Sequence, residues 1–196
     1  MIAMMSRELP DRELVVSARN GDLRARENLG RRVGRSAYVF ALQLAGNRDT
    51  ALDIAQDAVL NFFKNLDRYD ADRPLDPWLY QIVRNRVRDL ARQERLRRHD
   101  SLDAHLEQSR PESATRADDP VHEAEIHDLQ RRIWQAVSKL SEAHREIFVL
   151  RDYHDLSYRE IADVLSLPQG TVMSRLHAAR RNLRTLLAAE GTKDYE

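Results

Sequence analysis

Apolar residues recur along this chain at intervals of three and four rather than two, a pattern that predicts helices almost throughout. Asp11 can cap a short helix that turns Leu14, Val15 and Ala18 to one side, and Asn20-Gly21-Asp22 ends it. A longer helix follows over residues 23 to about 45, until Gly46-Asn47-Arg48-Asp49 interrupts it. A third, from 50 to about 66, sets Leu52, Ala55, Val59, Phe62 and Leu66 in one buried stripe and turns Asp53, Gln56, Asp57 and Lys64 outward. Residues 67–77 hold two prolines and four aspartates, and are expected to form a structured loop. Trp78 restarts the helix to about residue 98, with Leu79, Ile82, Val83, Val87 and Leu90 inward and the arginines on the remaining surface.

Residues 100–120 carry Ser, Thr, Pro and many acids but few apolar side chains, the composition of a flexible linker. A second helical block begins near residue 121, with Ile126, Leu129, Ile133, Val137 and Leu140 on one face, and a further helix is expected over 142–152. Ser157 and Glu160 stand in the spacing of a reciprocal capping box, which fixes a helix start. Ser166-Leu167-Pro168 breaks that helix, and another opens at Gln169. Helix, tight turn and helix in that order make a helix-turn-helix: Ala162 is small where the two helices cross, and Val172 and Leu176 point to the core. The expected fold is all-α, two small helical domains (1–99 and 121–190) joined by a flexible acidic linker (100–120).

Charge sharpens this picture. The formal net charge is zero, yet residues 84–98 hold seven arginines against two acids, residues 99–130 two arginines against nine acids, and residues 169–187 four arginines and no acid. Two basic helices therefore flank an acidic connector, and basic helices suit a nucleic-acid partner. With no cysteine, disulfides, thiolate zinc and cysteine nucleophiles are excluded. The start lacks the pattern of a secretory signal, no stretch reaches the roughly 18 apolar residues of a membrane span, and a cytoplasmic protein without membrane insertion is expected.

The helix opening at Gln169 presents Gln169, Thr171, Ser174, Arg175 and His177 for base edges or phosphates, with Arg180, Arg181 and Arg184 behind them for backbone contacts. Arginine bidentate to guanine is the specific contact this set favours, while hydroxyls such as Thr171 and Ser174 serve base or phosphate equally. The alternative is a helical hairpin with a solvated arginine face. In the first half, Arg84, Arg88 and Arg92 recur every four residues and Asn85 can bond a base edge, a surface that could hold single-stranded DNA; it could also be a solvated face paired with Asp89 and Glu94. Trp78 suits a core anchor better than a stacking platform.

Four segments carry a family resemblance. Residues 167–180 (LPQGTVMSRLHAAR) and 140–150 (LSEAHREIFVL) resemble the promoter helix and its scaffold helix in bacterial sigma factors of the extracytoplasmic-function class. Residues 51–57 (ALDIAQD) and 78–89 (WLYQIVRNRVRD) resemble that family's polymerase-binding and DNA-melting helices. The resemblance implies an initiation factor that binds core RNA polymerase and promoter DNA. Gln169, Thr171, Ser174, Arg175, His177 and Arg180 would then contact the minus-thirty-five element. Arg84, Asn85, Arg88 and Arg92 would contact the minus-ten element, and Asp53, Gln56 and Asp57 the polymerase clamp. It also implies an anti-sigma partner, no cofactor, no metal and no catalysis. Met173 stands where the family commonly has Lys, and Leu75-Asp76-Pro77-Trp78 replaces its usual aromatic-x-x-Trp. Two rival classes remain: a polymerase-independent helix-turn-helix regulator, for which an α/β sensor half is expected, and an enzyme with Asp118, Asp119, His122, Glu123 and His127 as metal ligands.

Overall fold

The computed structural model describes residues 11–100 and 120–191, with side-chain surroundings for 11–97 and 129–189. The expected linker lies almost wholly outside these, as do the side chains of Ile126 and of the five candidate metal ligands. Among the described residues there are eight α-helices and no strand.

Helix α1 (Asp11–Arg19) buries Leu14, Val15 and Ala18 against α2 (Leu23–Ala45). Asp22 caps α2 by accepting from the amides of Arg24 and Ala25 at 2.9 and 3.2 Å. Gly46, at φ +68°, ends α2 in the left-handed conformation that its lack of a Cβ permits. Helix α3 (Arg48–Lys64) starts two residues earlier than expected because Asn47 caps it, accepting from the Thr50 amide at 3.0 Å. Its buried stripe is Ala51, Ile54, Ala55, Ala58 and Phe62, so Leu52, expected inside, is 44% exposed. The reason is steric: the three alanines let α3 approach α2 closely, with Phe63 beside Gly30 and Val59 beside Gly34 of α2 at a spacing that would still admit a Cβ.

A 3-10 turn (Leu66–Arg68) follows, held by Arg19, which donates to the carbonyls of Leu66 and Tyr69. Helix α4 (Leu75–Asp100) begins three residues before Trp78, absorbing part of the expected loop. Pro77 is tolerated because amides of a first helical turn have no intrahelical partner to lose. Asp76, in the same turn, sits at the positive end of the helix dipole.

The second half contains α5 (Pro120–Ser138), α6 (Glu142–Phe148), α7 (Tyr158–Leu165) and α8 (Gln169–Gly191). The helix expected over 142–152 loosens into a π-helical turn, Val149–Tyr153. Leu129, expected inward, is 58% exposed. The capping box forms as its spacing predicts: Ser157 Oγ accepts from the Glu160 amide at 3.3 Å, and Glu160 Oε2 accepts from the Ser157 amide at 2.8 Å. Ser166 closes α7 at φ 54°, and the Leu167 amide returns to the Ala162 carbonyl at 2.9 Å. Val172, Leu176, Ala179 and Leu183 of α8 are buried. The two halves pack on each other, α4 against α7 and α2 against α6, and their buried side chains form one continuous cluster.

Candidate nucleic-acid interface

Burial of Val172 and Leu176 orients α8, leaving Gln169, Ser174, His177 and Arg180 exposed and Thr171 and Arg175 half-buried on its free side. Ser174 Oγ donates to the Thr171 carbonyl at 3.2 Å, which anchors its hydroxyl to the helix. Arg180 is held by Asp152, donating to its carboxylate at 2.5 and 3.2 Å; this bond favours the charged guanidinium and pushes its pKa up. Of the residues expected to contact DNA, Arg180 is therefore tied through its guanidinium, an arrangement that the spacing of α8 alone could not reveal.

The arginines of α4 do not share one solvated face. Asn85, Arg88 and Arg92 are exposed, whereas Arg84 is 5% exposed. Its guanidinium donates to Glu146 Oε2 at 3.2 Å and to the carbonyls of Val164 and Leu165 at 3.2 and 3.3 Å, where α7 ends. Arg88 reaches the same carboxylate through Nε and Nη2, both at 3.2 Å. The expected four-residue stripe is thus split, because α7 covers one end of it and Glu146 supplies the counter-charge a buried guanidinium needs. Glu146, 2% exposed, was not singled out in the sequence; its inward position between Ala143 and Leu150 on an amphipathic helix was the available signal.

Trp78 stacks on Tyr69, with centroids 4.6 Å apart and 23° between planes, and leans on Phe62 at 4.8 Å. It is half-buried and serves as a wall as well as an anchor. Together with Arg68, Arg73, Pro74 and Gln81 it lines a cavity of about 380 Å³, closed on the far side by Glu160, Asp163 and Val164 of α7. The Tyr69 hydroxyl donates to the Arg73 carbonyl, and burial pushes its pKa up to about 12. On α3, Asp53 and Gln56 are exposed, but Asp57 accepts from Arg86 Nε at 2.7 Å and so braces α3 to α4.

Between the halves, His154 sits among Phe40, Gln43 and Tyr80, and burial lowers its pKa to about 4. Arg145 donates to the Leu44 carbonyl at 2.8 Å and to those of Ser138 and Leu140 at 2.9 and 3.2 Å; burial lowers its pKa from the ordinary value.

The profile of Sigma-70 region 2 matches residues 29–97 and that of Sigma-70 region 4 matches residues 130–183. The chain is 33% identical over 153 residues to the ECF RNA polymerase sigma factor SigW of Bacillus subtilis (strain 168), an overlap of 76% of this chain and 82% of SigW. The chain belongs to the ECF sigma-factor family. It is also 32% identical over 192 residues to the RNA polymerase sigma factor CnrH of Cupriavidus metallidurans, covering 96% of this chain and all of CnrH. Two solved ECF-type neighbours agree in fold. The sigma factor RpoE in complex with the anti-sigma factor NepR from Bartonella quintana has a TM-score of 0.67 at 25% identity over 80% of this chain and 92% of that one. CnrH in complex with the cytosolic domain of CnrY has a TM-score of 0.65 at 28% identity over 91% and 97%. This ECF sigma factor is accordingly an alternative sigma factor, of a family whose members are transcription-initiation factors rather than enzymes. Its region 2 match takes in α3 and nearly all of α4, and its region 4 match α6, α7 and most of α8. No described helix is long and apolar enough to cross a membrane.

Proposed function

We propose that this ECF sigma factor works through three surfaces in the bacterial cytoplasm and catalyses no reaction itself. Residues 1–99 bind the polymerase clamp through the α3 face carrying Asp53, Gln56 and Asp57, and capture the melted minus-ten strand along α4 with Asn85, Arg88 and Arg92, joined by Arg84 once it is uncovered. The cavity beside Trp78 and Tyr69 combines aromatic and proline walls with Arg68, Arg73 and Gln81, a set that suits an unstacked base once Glu160 and Asp163 of α7 move away. Residues 121–190 place α8 in the major groove of the minus-thirty-five element, where Arg175 reads a guanine, Gln169, Thr171, Ser174 and His177 add polar contacts, and Arg180 holds phosphate. Residues 100–120 connect the two. An anti-sigma protein is the expected inhibitor, by analogy with the complexes formed by the RpoE and CnrH relatives.

The observation that carries this reading is α8, locked by Val172 and Leu176, with four arginines and no acid over residues 169–187: Arg181 and Arg184 are exposed, Arg175 is half-buried and Arg180 is held by Asp152. The test mixes the purified chain with core bacterial RNA polymerase and a promoter selected from a random DNA pool. Initiation that requires both proteins, and fails when Asp53 and Asp57 are both reversed in charge, is the expected result. Duplex binding by the chain alone, without polymerase association, would overturn it in favour of an independent regulator.

A further inference from the structure

One end of the surface that α4 offers to a melted strand is covered by the chain's own second half, which buries Arg84 and leaves Asn85, Arg88 and Arg92 exposed, and the contacts that hold it there have a distinct chemistry. Glu146 stands between Arg84 and Arg88 with every bond at 3.2 Å, as a phosphate would. The Val164 and Leu165 carbonyls give Arg84 the negative end of α7. Glu160 and Asp163 of α7 line the same cavity beside Trp78 as Arg68 and Arg73.

The other fastening is a neutral ring. His154 Nε2 lies 2.7 Å from Gln43 Oε1 and Nδ1 lies 2.9 Å from the Tyr80 hydroxyl. A carbonyl oxygen only accepts, so Nε2 carries the proton and Nδ1 accepts from Tyr80. The ring is enclosed by Tyr80 at 4.5 Å and Phe40 at 5.4 Å from the first half, and Tyr153 at 5.1 Å beside it in sequence. The titratable side chains that touch the ring are Tyr80 on α4 and Tyr153 beside it in sequence, and Tyr80 in turn feels Asp76 on α4 and Arg32 on α2; Arg151, Asp152 and Asp155 flank the ring in sequence, and α6 carries Glu142, His144, Arg145 and Glu146. No carboxylate among the described residues hydrogen-bonds the ring, so although the Tyr80 hydroxyl can turn to accept from a protonated Nδ1, no negative charge bonded to the ring offsets a second proton.

We propose that this chain carries its own catch: His154, seated among Phe40, Gln43 and Tyr80, and Glu146, between Arg84 and Arg88, hold the second half over the Arg84 end of the strand-binding face of α4 without any partner protein, and a proton on His154 releases it. That release exposes a strand-binding face rests on the function proposed above; the closing itself does not. Burial lowers the ring's pKa from 6.5 to about 4, so the closed form binds fewer protons than the open one. Its contribution to closing is therefore complete above pH ~6.5 and is lost as pH falls from there toward 4. At pH 5.5 the closed-to-open ratio falls about tenfold relative to pH 7.5.

The chain has no cysteine, so Leu23→Cys and Met173→Cys, 80% and 55% exposed in the parent, place one dye on each half. Energy transfer is then read on the free, full-length chain. A short, narrow separation is expected at pH 7.5, with a tenfold shift toward open at pH 5.5. His154→Gln, which can donate to Gln43 and accept from Tyr80 but does not titrate, should stay closed at both pH values. Tyr80→Phe removes the Nδ1 partner from the opposite half and should weaken closing at pH 7.5. Glu146→Gln should open the chain at pH 7.5, and without dyes it should bind a single-stranded minus-ten oligonucleotide several-fold tighter than the parent. A broad, long separation in the parent at pH 7.5, or an undiminished acid response in His154→Gln, would refute the catch. Neither readout involves polymerase, so loss of the catch and loss of the initiation function are separately visible.

Discussion

Asp53 and Asp57 lie one turn apart on α3, yet the structure gives them different neighbours, and this difference can be measured. Asp57 accepts from Arg86 at 2.7 Å, with the two side chains 46% and 35% exposed, whereas Asp53 is exposed and away from that brace. An ion pair so open to solvent is worth at most about 1 kcal/mol after screening. Reversing Asp57 to Arg removes that term and sets a like charge beside Arg86, for a total of roughly 1–2 kcal/mol. In a chain of this size with one continuous core such a loss lowers Tm by about 5 °C. Asp53→Arg should leave Tm within a few degrees, since exposed substitutions cost within about 0.5 kcal/mol. Both variants should weaken binding to core polymerase about tenfold, less at high salt because the interaction is screened. The assays are thermal unfolding followed by circular dichroism, and fluorescence anisotropy of the labelled chain titrated with core polymerase. Normal polymerase affinity in Asp53→Arg would refute the assignment of this face, and an unchanged Tm in Asp57→Arg would refute the brace.

Leu176→Ala, at a position 2% exposed beneath the helix-turn-helix, should cost about 2–4 kcal/mol in urea unfolding and loosen α8 from its scaffold. Ser166→Gly should stabilise by about 1 kcal/mol in the same experiment, because Ser166 ends α7 in a left-handed conformation that disfavours any Cβ. Arg175→Ala should weaken promoter binding by about 1–3 kcal/mol and relax selectivity at one base pair, as read by competition among promoter variants; Arg181→Ala should instead weaken all sequences alike and reduce the salt slope by about 1.

The local code of this chain is legible where residue type and spacing act within a few positions. The helix order, the capping box at Ser157 and Glu160, the break at Gly46 and the orientation of α8 by Val172 and Leu176 all follow from backbone hydrogen bonding and helical periodicity, which neighbouring residues decide. Periodicity placed Ala55, Phe62 and Leu66 of the expected stripe correctly but not Leu52, because Ala51, Ile54 and Ala58 face the core instead, which depends on how α3 is rotated against α2. It also gave α4 a single arginine face, because a run of charges says nothing about which of its members meets a carboxylate 62 positions away. That Arg84 is buried on Glu146, that Asp57 braces Arg86 and that His154 is neutral among residues of the other half are long-range facts. The sequence by itself determined the order of the helices and the capping box of α7. Only tertiary packing decided which charges are free to meet a partner, since burial and counter-charge depend on segments brought together by the whole fold.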